Sequence, residues 1–386
     1  MDSNQPPPPP GVRPAQPRPV APPPLTPPLV AGRVQPHPRR GGRGWMVVAI
    51  LAIFLLVVTQ LIDFAHLPTP AGFSMGGTTD RFLEESVVEQ SESENKIAVV
   101  EVKGVISGGD NGEGIGMVEL IKRKLKRAAE DDQVKAVVLR VDSPGGEVLA
   151  SDDIAKAIEK FQAEHHKPVV ASMGSLAASG GYYVSAPCRW IVAHPLTITG
   201  SIGVIMHGFN YRGLMDKLGL RAEVYKSGKY KDMLSGTRSP EEVPAGEREL
   251  VQALIDETYS RFKEVVKDGR EFARKENKMH GFEEKSRALA EKWEEMADGR
   301  VFSGRVAWTN GFVDELGNLD TAIKRARELG GISDAAVVRY QVPFHLSSFF
   351  SLLGQAKDPG VKIDLGVRAP DIEPGRLYYL SSIYLR

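Results

Sequence analysis

Short apolar runs alternate with amphipathic helical stretches from Lys96 to Ala171, and this alternation allows few architectures. Ile97-Ala98-Val99-Val100-Glu101-Val102 has the length and branched side chains of a buried strand. Met117 to Ala129 follows, placing Val118, Ile121, Leu125 and Ala128 on one helical face and lysines and arginines opposite. Ala136 to Val141 is a second strand. Ala150 to Phe161 is a second helix, with Ile154, Ala157, Ile158 and Phe161 along one side, and Val169-Val170-Ala171 is a third strand. Strand, helix, strand, helix, strand with brief turns winds a parallel sheet covered by helices. Beyond Pro240 the pattern turns helical and charged. Helices are expected at Gly246 to Lys267 and Glu283 to Met296, then smaller elements at Gly304 to Asn310 and Leu319 to Leu329. No internal repeat is evident, so residues 96–340 read as one α/β unit.

The flanks are built differently. Residues 1–44 hold 15 of the chain's 27 prolines and almost no large apolar side chains, so they read as a disordered arm. Trp45 to Ile62 (WMVVAILAIFLLVVTQLI) carries no charge. Eighteen residues of helix span roughly 27 Å, enough for a bilayer core, and no small-x-small cleavage site stands out after it. The segment reads as a single transmembrane signal anchor. Arg33, Arg39, Arg40 and Arg43 precede it, while Asp63 and His66 follow, so the positive-inside rule keeps the arm in the cytoplasm. Residues 63–95, rich in proline and glycine and then acidic, read as a stalk, and 341–386 as a C-terminal tail.

Composition excludes some functions. The chain has 49 Lys plus Arg and 49 Asp plus Glu, so no global basic field recommends a nucleic acid partner. Cys188 is the single cysteine, which excludes an intrachain disulfide and a cysteine-built metal site. It reads as a small buried apolar residue.

Three glycine-bearing turns follow apolar strands: Asp142-Ser143-Pro144-Gly145-Gly146, Ala177-Ala178-Ser179-Gly180-Gly181-Tyr182-Tyr183, and Thr199-Gly200-Ser201-Ile202-Gly203-Val204. Loops at the carboxyl ends of parallel strands are where α/β proteins place their sites. Any one of these could be an ordinary strand-to-helix turn. In the second, Ser179 stands between Ala178 and Gly180 with nothing bulky over its hydroxyl, and a helix is expected to open near Gly181. The unpaired N–H groups of a helix start, with a second N–H from Gly146, could hold an oxyanion beside that serine.

A nucleophilic serine needs a base, and no histidine lies in the three turns. His165 and His166 fall in a polar turn, and His194 and His207 flank the third loop. A lysine can serve instead if burial brings its pKa from about 10.4 toward roughly 7–8. Lys226, Lys229 and Lys231 in KSGKYKD are the candidates, and spacing alone does not choose among them.

The segments VLRVDSPGGEV, SLAASGGYYV, TGSIGVI and KSGKYKDM, in this order, resemble the signal peptide peptidase A family. The resemblance runs from about Lys96 to Asp334 and includes DGRVFSGRVAW and GFVDELGNLDTAI. It implies a crotonase/Clp-peptidase-like α/β core and a serine–lysine mechanism without cofactor or metal. In it Ser179 is the nucleophile, Lys231 the general base, Ser201 the hydroxyl that orients Lys231, and Gly146 and Gly180 the oxyanion donors. It further implies remnant signal peptides as substrates, the lipid membrane of the cell as the working surface, and a ring-like homo-oligomer. The charged stretch 271–297 and the proline arm depart from the family pattern. Two rival readings remain: an acyl-CoA hydratase or isomerase of the same superfamily, and an inactive peptide-binding scaffold.

Overall fold

The computed structural model describes residues 83–109, 115–342 and 377–381. The strand–helix alternation folds as its pattern requires. Strand β1 (Glu84–Glu89) is followed by β2 (Lys96–Lys103), helix α1 (Met117–Glu130), β3 (Val134–Ser143), β4 (Gly145–Glu147), α2 (Val148–His165) and β5 (Val169–Ala178). Next come α3 (Gly180–Ser185), β6 (Trp190–Ala193), β7 (Ile198–Gly200), α4 (Arg212–Lys217) and α5 (Ala245–Met279). The chain continues through β8 (Val301–Ser303), α6 (Gly304–Thr309), β9 (Glu315–Leu316), α7 (Leu319–Leu329), β10 (Ala336–Gln341) and β11 (Tyr378–Leu380).

The main sheet runs β1-β10-β2-β3-β5-β6-β9. Its interior pairings, from β10 through β9, are all parallel, and β1 caps one edge antiparallel. Besides β3, strand β5 pairs with two strands: Val170 to Met173 with β6, and Leu176 to Ala178 with β7, which pairs in turn with β8.

Both faces of the sheet are covered, which explains why its strands are apolar throughout rather than alternating. On one face Ala98, Val100, Val137, Leu139 and Val141 pack with Ile121 and Leu125 of α1 and Ile154, Ile158 and Phe161 of α2. On the other, Ile97, Val99, Ala136 and Val138 meet Ala322, Ile323, Ala326 and Leu329 of α7. Successive strand residues point to opposite faces, so a one-residue slip in register would expose both sets. Cys188 is fully buried, and burial pushes its thiol pKa up.

Four differences from the sequence reading have physical causes. Glu84–Glu89, assigned to the stalk, pairs with β10, so the sheet begins before Lys96. The strand is short and acidic, which suits an edge. The helix expected over residues 246–267 runs on to Met279, because Phe262, Val265, Val266 and Ala273 keep a buried stripe through the charged sequence. The helix expected at Glu283 to Met296 is instead two short 3₁₀ turns, Glu283–Lys285 and Trp293–Met296. Leu289 packs on the core and Trp293 is buried, so the segment is shaped by anchors rather than by a helical stripe. Last, part of the expected tail, Tyr378–Leu380, is a strand paired with β4. Among the described residues no helix is long and apolar enough to cross a membrane; the expected span from Trp45 to Ile62 lies outside them, as does the proline arm.

Candidate active site

Three adjacent strands deliver the three turns to one place. In the β3–β5 ladder Ser143 lies opposite Ala177, and in the β5–β7 ladder Ala178 lies opposite Gly200. All these strands are parallel, so the turns at their carboxyl ends emerge side by side. The Ser179 N–H donates to the Gly200 carbonyl at 2.8 Å, and the Thr199 hydroxyl to the Ala177 carbonyl at 2.7 Å, which staples the second and third turns together.

Ser179 sits on a strained elbow between β5 and α3, with φ 55° and ψ −119°. Ser201 also has a positive φ, 51°, and its N–H donates to the Arg300 carbonyl at 2.8 Å. Among the described residues only His166 and Leu234 join these two serines as non-glycine positions with positive φ. Such conformations persist only where the surroundings enforce them, and they gather at functional sites. Ser179 is 1% exposed, and its Oγ has no hydrogen-bond partner among the described residues.

The glycines flanking the serine are required by space. A Cβ on Gly180 would lie 2.7 Å from Ser151 Oγ, 3.0 Å from Gly145 Cα and 3.1 Å from Gly146 N. The amides of Gly146 and Gly180 are therefore close neighbours beside Ser179. Gly180 opens α3, so its N–H has no partner within that helix.

None of the three lysines bonds to a residue of this arrangement among the described residues. Lys226 Nζ donates to Asp232 Oδ1 at 2.7 Å, and Lys229 lies over the Tyr230 ring at 4.9 Å. Lys231 is exposed and makes no side-chain hydrogen bond or ion pair to a described residue, Ser179 and Ser201 included. The structure thus groups Ser179, Ser201, Gly146 and Gly180, and leaves Lys231 uncommitted on the surface of a separate loop. His194 is exposed, its Nδ1 accepting the Leu196 N–H at 3.2 Å, and His165, His166 and His207 are exposed as well.

Sequence reasoning missed two features. The first anchors the lysine loop: Arg238 Nη2 donates to both Glu247 oxygens, at 2.6 and 2.7 Å, and Glu247 Oε1 also accepts the Leu234 N–H at 2.8 Å. Burial opposes the Glu247 charge, but Arg238 and that N–H outweigh it and hold the carboxyl below its usual pKa. The second is β11, which lies antiparallel on β4 with Tyr379 opposite Gly146. Its signal was present as the apolar run Leu377-Tyr378-Tyr379-Leu380 shortly after Pro374-Gly375.

Comparison with known proteins defines the class first: residues 161–280 and 283–333 match peptidase family S49, and the protein is a serine peptidase. It is 34% identical over 316 residues to an Enterococcus faecium protein provisionally assigned as signal peptide peptidase SppA, an alignment covering 78% of this chain and 84% of that one. It is 37% identical to a provisionally assigned protease of Synechocystis, over 63% of this chain and 77% of that protein. Protease 4 of Haemophilus influenzae is 35% identical over 67% of this chain, which spans only 39% of that longer protein. The chain belongs to the signal peptide peptidase A family of S49 peptidases.

Proposed function

We propose that this peptidase hydrolyses remnant signal peptides and other membrane-associated peptides, held at the membrane by Trp45 to Ile62 with its catalytic domain outside the cytoplasm. In this reading Ser179 is the nucleophile, Lys231 the general base and Ser201 the hydroxyl that orients the lysine amine. The observation that carries it is the strained Ser179 elbow set beside the Gly146 and Gly180 amides. The α/β sheet and the sequence of the turns support a crotonase/Clp-peptidase-like core. They favour this reading over a hydratase, which would lack the lysine, and over a scaffold, which would have no use for a strained serine.

The neutral Lys231 amine removes the Ser179 Oγ proton as Oγ bonds to the scissile carbonyl carbon. Charge moves to the carbonyl oxygen, where the Gly146 and Gly180 N–H groups stabilise it. Collapse breaks the C–N bond, and the Lys231 ammonium returns its proton to the leaving amine. The same lysine then deprotonates the water that releases the acyl group. No metal or cofactor takes part in this scheme.

A lysine base has to lose its water, and Lys231 is exposed in the single chain. The stretch between Ser201 and Lys231 also exposes large apolar side chains, Phe209 at 82%, Leu218 at 64% and Tyr225 at 91% among them. Large exposed apolar side chains gathered in one stretch suit a surface that a partner covers. A closed homo-oligomer would cover it and desolvate Lys231 together.

A fluorophosphonate probe tests the chemistry. Wild type should label at Ser179, Lys231→Ala should label at least about a hundredfold more slowly, as loss of a general base implies, and Ser179→Ala not at all. Undiminished labelling of Ser179→Ala would remove the serine from its role. Assembly is tested by light scattering alongside activity, where a fully active monomer at low concentration would overturn it.

A further inference from the structure

Lys231 stands on turns rather than on a helix or strand, so other groups have to fix its backbone. The Lys231 N–H donates to the Gly228 carbonyl at 3.2 Å, and the Met233 N–H to the Tyr230 carbonyl at 3.0 Å. Lys226 spans the same turns, its Nζ donating to Asp232 Oδ1 at 2.7 Å and to the Lys229 carbonyl at 3.3 Å. Leu234 closes them with φ 65°, a sign it shares, among non-glycine described residues, only with His166, Ser179 and Ser201. A leucine held there is strained unless its surroundings enforce the conformation.

The first turn of α5 receives this loop on both sides of Lys231. Before the lysine, Tyr230 lies against Gly246, where a Cβ would be 2.9 Å from the Tyr230 hydroxyl. After it, Glu247 Oε1 accepts the Leu234 N–H at 2.8 Å, and both Glu247 oxygens accept from Arg238 Nη2 at 2.6 and 2.7 Å. Asp232 connects Lys226 to this pair, its Oδ1 lying 3.8 Å from Arg238 Nη1. From Gly203 to Gly246 Arg238 is the single buried residue, and Glu247 is buried beside it. The loop therefore has no apolar core of its own, and its deepest anchor is this ion pair. Such a pair holds its geometry, because releasing one partner leaves the other charge buried and alone.

We propose that Glu247 and Arg238 are positioning residues for the general base: they pin the strained turn at Leu234 and so fix the direction in which Lys231 presents its amine. The proposal rests on the serine–lysine reading above and adds to it the groups that hold the lysine. Lys226, its Nζ committed to Asp232, belongs to the same support rather than to the chemistry. Misplacing a reacting group by about 1 Å can cost on the order of a hundredfold in rate. The pair acts on proton transfer and not on peptide binding, so its loss falls on kcat.

The test times fluorophosphonate labelling of Ser179, using the full chain in detergent, in two backgrounds. With Lys231 present, Glu247→Ala should slow labelling at least about tenfold, within the range a small misplacement produces. In Lys231→Ala it should leave the already slow labelling unchanged, because a group that acts only through the lysine has nothing left to lose. With a peptide substrate Glu247→Ala should lower kcat and leave KM near that of wild type. Glu247→Gln keeps the shape and an acceptor for the Leu234 N–H, and covers the case in which the alanine variant does not fold. It should slow labelling too, again only where Lys231 is present. Equal slowing in the two backgrounds, or wild-type labelling by Glu247→Gln, would overturn the proposal and leave the peptidase reading standing. If Lys231→Ala itself labels as fast as wild type, the serine–lysine reading falls first and this proposal with it.

Discussion

Replacing Ser179 by glycine should abolish activity and stabilise the protein, whereas Ser179→Ala should abolish activity without that gain. The backbone there, φ 55° and ψ −119°, is outside even the ordinary left-handed helical region and is close to glycine-only territory. Holding an L-residue in such a conformation costs of order 1–3 kcal/mol, and this position belongs at the upper end. Two terms oppose the relief. Glycine is about 0.5–1 kcal/mol worse in the unfolded chain, and a buried methylene is lost at about 0.8 kcal/mol. The hydroxyl adds nothing, since it has no hydrogen-bond partner among the described residues. The net gain of glycine over alanine is then about 0.5–1.5 kcal/mol, or roughly 1–6 °C in a domain of this size. Alanine is the control, because it removes the same hydroxyl and keeps the strained Cβ. Thermal unfolding of the full chain in detergent, followed by tryptophan fluorescence, reads the difference. A glycine variant no more stable than the alanine variant would show that the elbow is relaxed and that its strain is not evidence of function.

Other outcomes follow from the same geometry. Ser179→Ala and Lys231→Ala should each remove nearly all peptidase activity, with the double variant scarcely worse, because residues that act as a unit are not additive; Ser201→Ala should cost less. The pH–rate profile should still be rising on the alkaline side of neutrality, as an amine base requires, and a profile already flat below neutrality would point to a different base. Glu247 has a depressed folded pKa, so its tie to Arg238 contributes stability above the ordinary glutamate range and loses it as pH falls through the folded value. Glu247→Gln should flatten that acid limb in pH-dependent unfolding. Arg270 pairs with Asp314 in the core and donates to the Cys188 carbonyl at 3.0 Å, so Arg270→Met should destabilise by about 3–5 kcal/mol in denaturant titration, as breaking a buried pair does.

The sheet and its turns were legible because their requirements are local. The runs around Val99, Val138 and Val170 had to be strands buried on two faces, and the structure covers both. Gly180 could be anticipated as a close-approach position, although its neighbour Ser151 could not, since that contact comes from α2. The stretch 283–296 went wrong for the opposite reason. Its charge and apolar spacing suit a helix in isolation, but burial of Trp293 and the docking of Leu289 decided its path. Strand β1 was lost in an acidic run because an edge strand needs little apolar surface.

The reach of sequence reasoning also explains why two parts of the site differ in kind. Ser179, Ser201 and the glycines are fixed by strand ends two hydrogen-bonded ladders wide, and a strand end can be read from its own residues. Tyr379 lies 200 positions from Ser179, and nothing in Leu377-Tyr378-Tyr379-Leu380 names the partner it will find. What places it is a free edge on β4 and an aromatic pocket assembled from α3 and α5.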